Sequence, residues 1–76
     1  MKKLIFNADL LKREREKRGL RYLHLARDLQ KYGTKCSKSV VWQWETGGAQ
    51  PSPRYVMALS DYFGRPMEDF YNKKAK

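Results

Sequence analysis

Ser37-Lys38-Ser39-Val40-Val41-Trp42-Gln43-Trp44-Glu45-Thr46-Gly47 is the stretch that decides how this chain folds. It predicts a short helix over about Lys38 to Thr46, with Ser37 as a cap whose oxygen takes up an orphan backbone N–H. At about 100° per residue, Val41, Trp44 and Glu45 cluster on one side, while Ser39 and Gln43 point the opposite way. Trp42 and Thr46 flank the polar side. One face is therefore apolar except for a single carboxylate, and the other is polar and largely uncharged. A carboxylate turned inward without a partner costs several kcal/mol, so Glu45 requires a cation.

Upstream, that cation has an obvious candidate. Asn7 reads as an N-cap, Asp9 suits the positive end of the helix dipole, and Phe6 with Leu11 has the spacing of a hydrophobic staple. The helix runs Ala8 to Arg18 and Gly19 stops it. Arg15 follows Leu11 by four residues and so shares its inward face. A planar guanidinium is the best available partner for Glu45, and the two inward charges are expected to pair.

Working outward, a second helix covers about Tyr22 to Tyr32, burying Leu25, Ala26 and Leu29, and Gly33 ends it. His24 and Asp28 lie together on another of its faces. Ser52-Pro53 starts a fourth helix running to Phe63, with Val56, Leu59 and Phe63 inward and Gly64 as the stop. Pro66 to Tyr71 reads as a last short helix. The expectation is one all-α domain of five short helices spanning residues 1–76, with its core at about 7–71 and a solvated basic tail at 72–76.

Charge narrows the function. The chain of 76 residues has formal net charge +9, and residues 1–38 carry 12 Lys/Arg against 4 Asp/Glu. A small domain this basic favours a polyanionic partner. No apolar run approaches the ~20 residues of a membrane span, and no signal-peptide core is present. One cysteine, Cys36, and one histidine, His24, make neither a disulfide nor a closed zinc site. Cys36 reads as a small buried hydrophobe. The expectations are a cytoplasmic protein with no metal, no cofactor, no membrane contact and no small-molecule substrate. Catalytic constellations are missing from the sequence: no second His, no Cys–His spacing, no phosphate-cradling glycine loop. RNA-binding aromatic strand motifs are missing too.

The ordered set Leu11, Arg15, Gly19-Leu20, Leu25-Ala26, Leu29, Val41, Trp44-Glu45-x-Gly47, Pro51-Ser52 and Phe63-Gly64 resembles the helix-turn-helix domains of the lambda-repressor/Cro (Xre) type, over roughly Leu10 to Tyr71. The resemblance implies that helices two and three form the helix-turn-helix, and that Arg15 pairs with Glu45. It implies base contacts from Lys38, Ser39, Val40 and Gln43, each with suitable chemistry. Gln43 can bond adenine bidentately, Lys38 can reach guanine O6 and N7, Ser39 suits any base, and Val40 meets a thymine methyl. Phosphate contacts are expected from Ser37 and Lys35, from Tyr22 at the start of helix two, and from Trp42. Thr46, Gly47 and Gly48 are expected to bring backbone amides to a further phosphate. A solvated polar face is the plain alternative for Lys38, Ser39 and Gln43.

Three features depart from the pattern. Residues 30–34 look like an insertion within a normally tight turn, so either helix two is longer by a turn or the loop bulges. Tyr22 stands where Gln is usual. Trp42 stands where a small polar residue is usual, and stacking on nucleic acid, binding a protein and burial against the insertion are its alternative readings. The functional expectation is a sequence-specific double-stranded DNA-binding transcriptional regulator, a repressor of phage or mobile-element type. A homodimer is expected on a pseudo-palindrome, with Met67, Phe70 and Tyr71 as the dimer patch and Phe63 completing the core. The alternative is an antitoxin or other protein-interaction module of the same fold.

Overall fold

In the computed structural model, which describes residues 5–72, the elements follow as β1 (Ile5–Phe6), α1 (Ala8–Lys17), α2 (Tyr22–Leu29), a 3-10 turn (Gln30–Tyr32), α3 (Lys38–Thr46), α4 (Pro53–Phe63), a second 3-10 turn (Met67–Phe70) and β2 (Tyr71–Asn72). The all-α expectation holds, and the four α-helices begin where their caps and breakers place them. The remainder of the expected basic tail, 73–76, lies outside the described residues.

Local chemistry accounts for the boundaries. The Leu10 N–H donates to Asn7 Oδ1 at 3.2 Å and the Val40 N–H to Ser37 Oγ at 3.3 Å, so both caps are made. Ser52 begins α4 differently from expectation: its side chain makes no capping bond, and Pro53 at the first turn carries the start. The fifth helix is a four-residue 3-10 turn, short enough for that tighter winding to persist. The sequence shows no strand pattern outside its first six residues, and the structure pairs the end of that stretch with the C-terminal side in an antiparallel ladder, Ile5 with Asn72 and Phe6 with Tyr71. Two residues per strand are too few to show a period-2 alternation.

Leu11, Leu25, Leu29, Val41, Val56, Leu59 and Phe70 are fully enclosed. The place of Phe70 corrects the expected dimer patch. Its ring is 0% exposed, stacked on Phe6 at 6.2 Å, and its carbonyl accepts the Asn7 N–H at 2.7 Å. In a 3-10 turn, side chains three residues apart eclipse, so Met67 falls on the same side and is half-buried against the core. Tyr71 is half-buried as well. Phe63 is buried, as expected of a core residue.

The insertion resolves as a longer second helix. Residues Gln30–Tyr32 continue α2 by a 3-10 turn that ends at Gly33, whose φ of +84° lies in the left-handed region. Buried Thr34 donates its hydroxyl to the Leu29 carbonyl at 2.9 Å. On the α4 side, Tyr62 meets the Tyr32 ring edge-on at 5.9 Å and donates to Asp28 Oδ2 at 2.7 Å. Burial first, and the bond to Asp28 second, push the Tyr62 phenol up to about 12, so it remains a donor at neutral pH. Tyr55 then donates to the Lys35 carbonyl at 2.9 Å.

A second inward charge on α1 was not anticipated. Glu14 is 4% exposed and receives Arg65 Nε at 3.0 Å, Lys17 Nζ at 3.5 Å and Arg18 Nε at 3.8 Å. Burial opposes its ionisation, but the Arg65 hydrogen bond and the Lys17 and Arg65 charges outweigh it and hold the carboxyl below the usual glutamate range. A depressed carboxyl contributes stability that is complete above the ordinary value of 4.5 and is lost as pH falls through the folded one. Urea midpoints followed down through about pH 4 should therefore fall more steeply for the wild type than for Glu14→Gln. Parallel pH profiles would show that Glu14 carries none of this dependence.

Candidate nucleic-acid interface

The position of α3 rests on one guanidinium. Arg15 Nε donates to Glu45 Oε2 at 2.6 Å and Nη2 to Oε1 at 3.1 Å, a bidentate fork. Nη1 donates to the Leu20 carbonyl at 2.8 Å, and the guanidinium carbon lies 4.3 Å from the centre of the Tyr22 ring. The Glu45 side chain is only 2% exposed. Val41 and Trp44 complete the buried side, Trp44 with its ring 5.4 Å from that of Tyr55.

With that side fixed, Lys38, Ser39, Trp42, Gln43 and Thr46 face solvent. Lys38 and Trp42 stack at a four-residue spacing, as do Ser39 and Gln43. Val40 is half-buried against the core, so part of its side chain remains presented. Ser37 accepts from Val40 with its oxygen and keeps its hydroxyl proton for another acceptor. Tyr22, Lys38, Ser39 and Trp42 together line a shallow cleft of about 250 Å³. A neighbouring depression joins Arg21, Tyr22, His24 and Lys38 at the start of α2, where no side chain caps the first turn. Positive charge and uncapped N–H groups there suit an anion. Lys35 is exposed next to the α3 cap. Among the described residues no group of His, Cys, Asp and Glu is arranged to hold a metal ion. Nor is any helix among them long and apolar enough to cross a membrane.

Three expected phosphate contacts need correction. The N–H groups of Gly47 and Gly48 both turn back to the Gln43 carbonyl, the latter at 2.9 Å, as part of the helix C-cap. They present no donor outward. The Thr46 hydroxyl donates to the Trp42 carbonyl at 3.0 Å, so its one proton is also engaged. The glycine at position 47 is required by the turn, with φ +86°. Cys36, expected to be buried, is half-buried against the core, and burial pushes its thiol up.

The α2–turn–α3 unit, held from behind and exposed in front, agrees with the result of comparison with known families. Residues 8–70 match the family described as helix-turn-helix domain. The chain belongs to that family. No curated protein and no solved structure gives a significant match. In this helix-turn-helix domain, α2 and α3 are the paired helices, the 3-10 turn after α2 lengthens the link between them, and the lambda-repressor-like resemblance is upheld. Its general role is DNA binding.

Replacing Arg15 by Met strands the Glu45 carboxylate and should destabilise the domain by about 3–5 kcal/mol; an unaltered melting temperature would show the pair carries no structural duty. Gly47→Ala meets nothing within 4 Å, so only backbone strain remains. Its expected cost is about 1–2 kcal/mol, read from the denaturant midpoint.

Proposed function

We propose that this protein is a sequence-specific double-stranded DNA-binding transcriptional regulator, a repressor of phage or mobile-element type, with α3 in the major groove. The observation that carries this reading is the contrast between the two sides of α3. Its inner side is fixed by Arg15 and the core, and its outer side offers Lys38, Ser39 and Gln43 to solvent with no carboxylate among them. Donors and acceptors held on a rigid helix of groove-compatible width match the base-edge pattern.

Lys38 addresses guanine O6 and N7, Gln43 adenine N6 and N7, and Ser39 a neighbouring base, with the presented part of Val40 against a thymine methyl. Ser37, Lys35 and the start of α2 at Tyr22 hold phosphates and set the register. The net charge of +9 supplies the sequence-independent part of the affinity. Repression follows from occupancy of a promoter in the cytoplasm. A homodimer places two α3 helices in successive major grooves, about 34 Å apart. Met67 and Tyr71, half-exposed next to the Phe70 core position, are offered as part of that contact.

Selection from random duplex DNA, with the bound sites sequenced, tests the reading directly. Lys38→Ala and Gln43→Ala should each relax preference at their own positions, costing about 1–3 kcal/mol against the best site. Unchanged preferences in both variants would overturn the assignment of the reading face, and a site without half-site symmetry would overturn the dimer.

A further inference from the structure

We infer that the cleft between Tyr22 and Trp42 receives the 5-methyl group of a thymine, so that Trp42 sets a T·A position in each bound half-site. The inference rests on α3 reading the major groove. Trp42 is 50% exposed although it lies on the helix that carries the polar face. With Tyr22, Lys38 and Ser39 it lines the cleft, so two aromatic rings and two polar side chains share one concavity. Within the major groove the apolar group that a base pair offers to such walls is the thymine methyl. The same base carries the O4 acceptor next to that methyl, and the Lys38 ammonium and Ser39 hydroxyl are both donors. A methylated cytosine would instead bring its N4 amino donor toward Lys38, a mismatch of like character. Thymine is therefore the occupant.

The walls are also held in place. Tyr22 lies under the Arg15 guanidinium at 4.3 Å, and Arg15 is held in turn by Glu45. Trp42 belongs to the helix that Glu45 anchors. The cleft thus exists before DNA arrives, and little ordering of Tyr22 is required on binding.

The test uses the full chain and the duplex recovered by selection. Each thymine is replaced in turn by deoxyuridine, which removes the 5-methyl and leaves pairing intact. The wild type should lose about fourfold in affinity, the value expected for one buried methyl at ~0.8 kcal/mol, at a position in each half-site separate from the thymine proposed to meet Val40. In Trp42→Ala that loss should vanish, while Gln43→Ala should keep it. Deoxyuridine without effect at every position overturns the inference and leaves the DNA-reading proposal standing. A penalty that persists undiminished in Trp42→Ala assigns the methyl to Val40 and overturns it equally. Failure to recover any enriched sequence removes both readings. The wild-type measurement alone can overturn the inference, and where Trp42→Ala does not fold, Val40→Ala makes the same assignment, because the penalty at the Trp42 position should persist in it.

Discussion

The Arg15–Glu45 fork is the constraint on which the rest of the arrangement depends. A guanidinium has donors in a fixed plane, and here its donors and its face together reach three different parts of the chain. Two nitrogens go to the end of α3, one goes to the Leu20 carbonyl between α1 and α2, and the face lies against Tyr22 at the start of α2. Hydrophobic packing alone holds helices together but tolerates sliding of one past another. A bidentate bond does not, because a shift of one turn would strand two buried charges. Removing charges from water is costly, so the pair is better understood as fixing position than as adding net stability. What it positions is the outward face of α3.

The lengthened turn raises the opposite problem. An insertion before the N-cap of a helix lets that end drift, and Ser37 is the residue that would move. The structure answers with contacts to α4 and back to α2. Tyr32 packs on Tyr62, Tyr62 bonds Asp28, Thr34 folds back to Leu29, and Tyr55 bonds the Lys35 carbonyl. Three of these four contacts involve tyrosines, whose rings supply contact area while the hydroxyl satisfies an acceptor. The end of α3 is thus tied to α1 and its approach to α4. A helix fixed at both ends can carry side chains whose roles depend on sub-turn register.

How much of this was legible in the sequence divides by range. Caps and stops are local, and Asn7, Ser37, Gly33 and Gly47 declared themselves through residue type. The Arg15–Glu45 pair spans 30 residues, yet each member betrayed itself by lying on an otherwise apolar face. Glu14 had the same sign, four residues after inward Leu10, but its surroundings concealed it. It sits within Lys12-Arg13-Glu14-Arg15-Glu16-Lys17-Arg18, where a buried carboxylate looks like every exposed one, and the cation that hydrogen-bonds it, Arg65, is 51 residues away along the chain. Phe70 was misread because four residues after a proline do not distinguish a helix from a 3-10 turn, and the two aim the side chain differently. Gly47 and Gly48 were misread for a further reason. Glycine permits close approach of a ligand, but it equally permits a C-cap, and only coordinates show where the N–H groups point. On the outer face of α3, sequence listed the residues; that Tyr22 and Trp42 line one cleft is tertiary information.

The distribution of charge explains why such a basic chain can present a discriminating surface. Phosphates surround any groove, and cations spread across the reading face would bind them without regard to sequence. Here α3 carries one cation outward, Lys38, in its first turn, while the remaining exposed members of that face are Ser39, Trp42, Gln43 and Thr46. The excess of Lys and Arg lies before α3, within residues 1–37, which hold 11 Lys/Arg against 4 Asp/Glu. On the proposed reading, attraction to the duplex and discrimination between bases therefore fall to different parts of the chain. Salt should weaken the first far more than the second, because screening acts on charge and leaves the hydrogen bonds and apolar contacts of α3 largely intact. If α3 reads bases as proposed, changing one outward residue should cost little general affinity and should relax selectivity at the base that residue faces.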